Sequence, residues 1–243
     1  KKIFPMPLEI IAHRGFSAIA PENTLAAFSA AIQHGANSIE FDVQLSSDDV
    51  PVIIHDPTLD RTTNGIGKVK DKTLEQLKTL DAGTWFDPKY SSERIPTLRE
   101  ALKAMKSLEK FAYSEVKGSD DWTAADVDNF VQILIETGWE DRCIVLCFNS
   151  KLLKQVRERS SKITVGYLVA SLSAFRENLP KAAADGNAII LSHYHVFLDN
   201  PSLVEASKNQ GVDIGTWTVD SPEDFQKLVK LGVIRIATNS LIE

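Results

Sequence analysis

The sequence predicts an α/β fold in which strands and helices alternate and close into one TIM-type (β/α)8 barrel. Three observations carry that expectation. The chain has 243 residues, and such a barrel needs about 250. Short apolar runs of strand character alternate with amphipathic helical runs, most regularly in the second half. Five glycines, Gly35, Gly138, Gly186, Gly211 and Gly232, each follow a helical run and precede an apolar strand within a few residues. That is where a left-handed residue ends a helix at least cost. A doubly wound sheet would give the same rhythm. The barrel is preferred because the strands are numerous enough and no Gly-rich dinucleotide fingerprint follows the first one.

In chain order the strand candidates are 9–12, 38–43, 50–54, 111–116, 143–148, 164–169, 188–191, 213–217 and 234–237. That is one more than a barrel needs. The pair 38–43 and 50–54 is joined by the short polar turn Ser46-Ser47-Asp48-Asp49, which leaves no room for a helix. These two strands form a hairpin or an irregular barrel step, and the sequence does not say which strand stands outside the ring. Among the helices, Asn23 is a candidate N-cap for a helix with Leu25, Phe28 and Ile32 on one face. Thr73-Leu74-Glu75-Gln76 and Thr97-Leu98-Arg99-Glu100 have the capping-box form. Ser221-Pro222-Glu223-Asp224 supplies a cap, a first-turn proline and two acids. The expected organisation is a single barrel domain over 1–243, with 56–96 as a polar insertion on the rim carrying one short helix at 73–80. In barrels the active site lies where such loops emerge, at the C-terminal ends of the strands.

Composition narrows the class. A hydrophobic fraction of 43% and a charged fraction of 25% are those of a globular protein and exclude disorder or a collagen-like chain. The net charge is -6 and the pI about 5.5, with no basic stripe, so no nucleic-acid partner is expected. No apolar run approaches the ~20 residues of a membrane span, so no membrane insertion is expected. Residues 1–7 show no signal-type apolar core. Cytoplasmic is the expected location, although a removed signal peptide would leave no trace. Cys143 and Cys147 fall on one face of a strand about 13 Å apart at roughly 3.3 Å per residue. A disulfide needs Cα atoms about 4.4–6.8 Å apart, so two buried free thiols are expected.

Four early strands end in ionisable groups: His13-Arg14-Gly15, Glu40-Phe41-Asp42, His55-Asp56 and Glu115-Val116-Lys117. Residues two apart on a strand point the same way, so Glu40 and Asp42 share a face, as do Glu115 and Lys117. Each group alone is more often structural. A barrel brings them to one mouth, where two histidines, the three carboxylates Glu40, Asp42 and Glu115, an arginine and a lysine suit phosphoryl chemistry. Oxygen ligands suit Mg²⁺ or Ca²⁺. Zinc is less expected, because no Cys/His ligand spacing is present.

Those blocks, together with Pro21-Glu22-Asn23-Thr24, Pro51-Val52-Ile53-Ile54-His55-Asp56, Leu59-Asp60-Arg61-Thr62-Thr63-Asn64-Gly65, Ile95-Pro96-Thr97-Leu98 and Thr216-Trp217-Thr218-Val219, resemble the signature blocks of glycerophosphodiester phosphodiesterases in order and spacing, over nearly the whole chain. The resemblance implies that Glu40, Asp42 and Glu115 bind one divalent cation. It implies that His13 and His55 are general acid and base, and that Arg14 and Lys117 hold phosphate oxygens. The substrate would be a small glycerophosphodiester, cleaved to glycerol 3-phosphate and an alcohol. The attacking oxygen comes from water or from the adjacent glycerol hydroxyl. Glu22 and Asn23 are candidates to tie down the first loop, with an N-cap an equal reading of Asn23; Phe86 and Trp85 are candidates to cover glycerol and Trp217 to line the pocket, with plain core packing an even alternative.

The departures from the family pattern are Tyr113 where Asn or Asp is common, Asp49 for a turn glycine, Cys147 for serine, and Asn239 for aspartate. Tyr113 is expected to touch the cation's surroundings. His193 and His195 are candidates to meet the leaving group, though surface-loop histidines are the commoner case. Two other functions stay in view: lysophospholipid cleavage on the same fold, and a non-catalytic barrel that retains the motif.

Overall fold

The structure is a computed structural model that describes residues 7–242. The stretch 1–6, part of the region read for a signal core, lies outside the described residues. In chain order, β1 (Glu9–His13), α1 (Leu25–Gln33), β2 (Ser38–Leu45) and β3 (Pro51–Ile53) lead into an excursion carrying α2 (Leu74–Lys78). The chain continues through α3 (Leu98–Ala104), β4 (Ala112–Val116), α4 (Ala124–Glu136), β5 (Cys143–Cys147), α5 (Ser150–Arg159), β6 (Thr164–Val169) and α6 (Leu172–Asp185). It ends with β7 (Ala188–His193), α7 (Tyr194–Asp199), α8 (Ser202–Asn209), β8 (Asp213–Trp217), α9 (Pro222–Leu231) and β9 (Arg235–Thr238).

Eight strands close a parallel ring: β1 pairs with β2, β2 with β4, the order runs on from β4 to β9, and β9 returns to β1. This is a TIM barrel. The strand outside the ring is β3, which lies antiparallel on the end of β2 with Val43 opposite Ile53 and Leu45 opposite Pro51. The turn between them explains this, since a parallel neighbour needs a crossover of a dozen residues or more and a tight turn permits only an antiparallel return.

Inward-facing Ile11, Tyr113, Ile144, Leu146, Leu168, Ile189, Leu191 and Ala237 fill the barrel. Two larger clusters lie between the strands and the surrounding helices. Below the apolar fill is a polar floor. There the Glu9 carboxylate accepts from Ser38 Oγ at 2.7 Å and from Tyr113 Oη at 2.7 Å, with Arg235 Nε at 3.6 Å. Tyr113 therefore points away from the mouth, and the expectation that it touches the cation's surroundings is corrected. Its long side chain descends from the inner face of β4 to give the buried Glu9 carboxylate a second hydroxyl donor beside Ser38.

The helix ends read mostly as expected. Thr73 and Gln76 form a complete capping box. Thr97 caps α3 through Glu100 N without the return bond, and Ser221 caps α9 ahead of Pro222. Gly186 and Gly232 are left-handed C-caps with φ of 79° and 95°. One cap is corrected: Thr24, not Asn23, caps α1 by accepting from Ala27 N. Asn23 has φ 58° and turns its amide to Asp42 instead.

The excursion between β3 and α3 packs its own small core of Leu59, Val69, Leu77, Ala82 and Ile95 onto Val52 and Ile54. Tyr90 Oη ties it to the β1–α1 loop through Ile19 O at 3.1 Å. Both cysteines are buried and free at opposite ends of β5. Among the described residues no helix is long and apolar enough to cross a membrane.

Candidate active site

Strand register assembles the acidic group. Glu40 and Asp42 project inward from β2, and the pairing of β2 with β4 sets Asp42 directly beside Glu115. One oxygen from each of the three carboxylates lies within 4.8 Å of the others. Glu40 Oε1 and Asp42 Oδ1 are buried without any hydrogen-bond partner. An orphaned buried carboxylate oxygen is costly, and a cation between them would satisfy both.

The proton affinities carry the same strain. Burial, with the charges of Asp42 and Glu115, pushes Glu40 well above the usual carboxylate range. Burial and the Asp42 charge push Glu115 up to about 7. Burial also works against an ionised Asp42, but Arg14 and Lys117 outweigh it and hold that carboxyl low. Lys117 Nζ lies 2.9 Å from Glu115 Oε1 and 3.9 Å from Asp42 Oδ1. Burial alone would lower its affinity for a proton, yet the Glu115 and Asp42 charges raise it, so the ammonium stays charged. The donor set therefore fits a divalent cation bound through oxygen.

Both histidines reach the mouth with one nitrogen already committed. His13 Nδ1 is 2.7 Å from Asn239 Oδ1. The Asn239 amide is itself fixed, since its Nδ2 donates to Asp220 Oδ2 at 2.8 Å. With the amide oxygen facing the ring, His13 Nδ1 carries the hydrogen, and Nε2, 3.7 Å from Glu40 Oε2, is the free acceptor. Burial, helped by the Arg14 charge, holds His13 below the usual imidazole range, which keeps that acceptor neutral. His55 Nδ1 lies 2.7 Å from Asp56 Oδ1, so its Nε2 is likewise the free nitrogen. The Gln44 amide gathers the carbonyls of Ile54, His55 and Asp56 at 3.1, 2.9 and 2.6 Å. It fixes the backbone that carries His55.

A chain of ion pairs joins the two histidine loops. Asp56 takes two bonds from Arg61, at 2.8 and 3.0 Å, and Arg61 gives two more to Glu22, at 2.7 and 3.0 Å. Glu22 in turn accepts from Arg14 at 2.9 Å. Arg14 has φ 59°, a left-handed backbone that ordinary residues rarely adopt. In that conformation its amide donates to Glu40 Oε2 at 3.1 Å and its Nε lies 3.5 Å from Asp42 Oδ2. The glycine after it is required by contact as well as by its φ of 79°, because a Cβ on Gly15 would come within 2.7 Å of the Ala27 backbone.

Across the mouth, Trp217 donates from Nε1 to Leu191 O at 3.2 Å and meets Phe148 and His193 edge-on at 6.1 and 5.1 Å. His193 stacks on Tyr194 and His195. The ring partners of Phe86 are Trp85 and Tyr90, both within the excursion. The structure thus gathers Glu40, Asp42, Glu115, His13, Arg14 and Lys117 by direct contact, with His55 joined through Asp56, Arg61 and Glu22. Sequence reasoning missed Asn239 and Asp220 as the support of His13, Arg61 as the clamp on Asp56, Gln44, and Phe148. Arg61 stood in a signature block and Asn239 among the departures, but neither carried a sign of its partner.

The model of the Glycerophosphoryl diester phosphodiesterase family matches residues 13–243. A glycerophosphodiester phosphodiesterase of Caldanaerobacter subterraneus subsp. tengcongensis is 38% identical over 232 residues, covering 95% of this chain and 93% of that protein. A phosphodiesterase of Oleispira antarctica, solved in complex with the product sn-glycerol-3-phosphate, superposes with a TM-score of 0.88 at 32% identity, over 96% of this chain and 94% of that one. A glycerophosphodiester phosphodiesterase of Agrobacterium tumefaciens superposes with a TM-score of 0.83 at 28% identity, over 98% and 99% of the two chains. With the barrel, the acidic group and the match all spanning the same residues, this chain belongs to the glycerophosphoryl diester phosphodiesterase family.

Proposed function

We propose that this protein hydrolyses glycerophosphodiesters such as glycerophosphocholine or glycerophosphoethanolamine to glycerol 3-phosphate and an alcohol. One observation carries the reading: three converging carboxylates with two orphaned oxygens share a mouth with two histidines whose Nδ1 atoms are already bonded. The product complex of the Oleispira relative supports it. Glu40, Asp42 and Glu115 would hold one Mg²⁺ or Ca²⁺. When bound, that ion neutralises carboxylate charge and polarises a phosphoryl oxygen.

The remaining work falls to side chains. Arg14 and Lys117 hold phosphate oxygens. One histidine Nε2 accepts a proton from the attacking oxygen, whether of water or of the neighbouring glycerol hydroxyl, and the other gives a proton to the departing alcohol oxygen. The two Nδ1 bonds leave Nε2 as the working atom of each ring, unprotonated in the base and protonated in the acid, whose ring is then the imidazolium. Trp217 and Phe86 are assigned to the walls around the substrate.

The test is His13→Ala and His55→Ala, assayed by release of glycerol 3-phosphate. Each should lower turnover by about 10²–10⁴-fold while circular dichroism and melting stay close to those of the parent. Substantial turnover in both folded variants would contradict the acid–base assignment.

A further inference from the structure

The excursion between β3 and α3 sends Arg61 between the two histidine loops, and no step above uses it. We propose that Arg61 is a positioning residue, which holds the His55 ring and the Arg14 guanidinium in one register by gripping a different carboxylate with each edge of its own guanidinium. The proposal rests on the diesterase reading above.

The local chain fixes the backbone of Arg61 before its side chain makes any bond. Leu59 is fully buried in the small core of the excursion. Thr63 closes a turn on it, with N and Oγ1 both donating to Leu59 O at 3.1 and 2.7 Å. Leu59 N donates to Gly67 O at 2.8 Å, and Gly67 N donates to Asp60 Oδ1 at 3.1 Å. Thr62 and Thr63 are buried beside Arg61. The packed excursion is therefore the platform that delivers this arginine.

The four bonds use two edges of one planar group. Nε and Nη2 donate to Asp56 Oδ2 and Oδ1, and Nη1 and Nη2 donate to Glu22 Oε1 and Oε2. Each pair is the parallel fork that fixes direction as well as adding attraction, and arginine is the side chain with two such edges. The far side of each carboxylate bears on the site. Asp56 Oδ1 meets the His55 ring, and Glu22 Oε2 also accepts from Arg14 Nη1. A partly exposed ion pair adds little to stability, so the effect of this one falls on placement. A displacement of about 1 Å at a reacting group costs about 10²-fold in rate.

The experiment crosses Arg61→Met with Asp56→Asn and with Glu22→Gln in the cation-loaded protein. It reads kcat on glycerophosphocholine and, by calorimetry, the Kd of sn-glycerol 3-phosphate. The Arg61 side chain is 44% exposed, so Arg61→Met opens no cavity and melting should stay close to that of the parent. Alone, it should lower kcat by about 10²-fold and weaken the product severalfold. Added to Asp56→Asn, it should lower kcat little further yet still weaken the product. Added to Glu22→Gln, it should still lower kcat yet weaken the product little further. Residues that act through one another give such non-additive losses, and independent residues do not. Arg61→Lys should restore neither quantity in full, because one ammonium cannot bond both carboxylates in pairs. An Arg61→Met variant within about twofold of the parent in both quantities, losses that multiply in both crosses, or a lysine variant equal to the parent would overturn the assignment while leaving the diesterase reading standing. A parent that releases no glycerol 3-phosphate would sink that reading, and the assignment with it.

Discussion

Asp56 gives His55 its tautomer. With Nδ1–H held at 2.7 Å by a carboxylate that Arg61 grips twice, the ring has only Nε2 free. Asp56→Asn can offer its amide NH₂ to Nδ1 and reverse the tautomer. It should lower kcat by about 10²–10⁴-fold with KM little changed, and steady-state kinetics on the folded variant would show it. Equal losses in kcat and affinity would mean that Asp56 acts through the loop and not through the ring. The acids make a second prediction at this scale. Glu40 and Glu115 are held above the usual carboxylate range by burial and by their acidic neighbours, Glu115 at about 7. Between the ordinary glutamate range and that value the cation-free fold binds protons the unfolded chain has already released, so its stability falls as pH rises through the window. A cation must displace those protons. Calorimetric titration with Mg²⁺ or Ca²⁺ somewhat below the Glu115 value of about 7, in buffers of different ionisation heat, should therefore register proton release that fades well above it. Binding without proton release would contradict the charge arrangement described.

At the scale of elements, the β1–α1 junction shows why its residues are spent as they are. Asn23 has the right side chain to cap α1, yet its amide serves Asp42 and the cap falls to Thr24. Thr24→Ala should cost about 1 kcal/mol of stability as a lost cap. Gly15→Ala should cost about 1–3 kcal/mol, because its φ is 79° and the new Cβ meets Ala27 at 2.7 Å. Chemical denaturation would measure both, and Gly15→Ala should also depress turnover by displacing His13 and Arg14. The junction marks the limit of sequence reading as well. The convergence of the ionisable groups was legible because they lie in contiguous clusters at strand ends, where the period of two fixes a shared face. Their supports were not, since Asn239 is 226 positions from His13 and only the closed ring brings β9 beside β1. Of the two readings Asn23 allowed, cap or loop tie, the choice was not legible, because Asn23 and Thr24 are both good caps and the competing bond to Asp42 spans 19 residues.

Over the whole molecule, one barrel end carries the three carboxylates and the two histidines, and the other carries a polar plug. The eight-strand ring followed from the rhythm of runs and glycines, but the odd strand could be named only from the antiparallel register of β3 on β2. Tyr113 was misjudged for a related reason: alternation puts it on the inner face with Glu115, and only the depth of the barrel sends its hydroxyl down to Glu9. Glu9 is 3% exposed and faces Arg235. Removing one partner of such a pair costs about 3–5 kcal/mol, so Arg235→Met should destabilise the fold by that order without altering KM. Tyr113→Phe should cost nearer 1 kcal/mol. Because the excursion packs onto Val52 and Ile54 of the hairpin, we expect it to melt with the barrel in a single transition. The central claim joins the two histidines to a cation held by Glu40, Asp42 and Glu115. Its most direct test is the release of glycerol 3-phosphate from glycerophosphocholine, followed in EDTA and again after Mg²⁺ or Ca²⁺ is restored. The account predicts activity abolished by the chelator and recovered with one of the two cations. Undiminished hydrolysis in EDTA would contradict it.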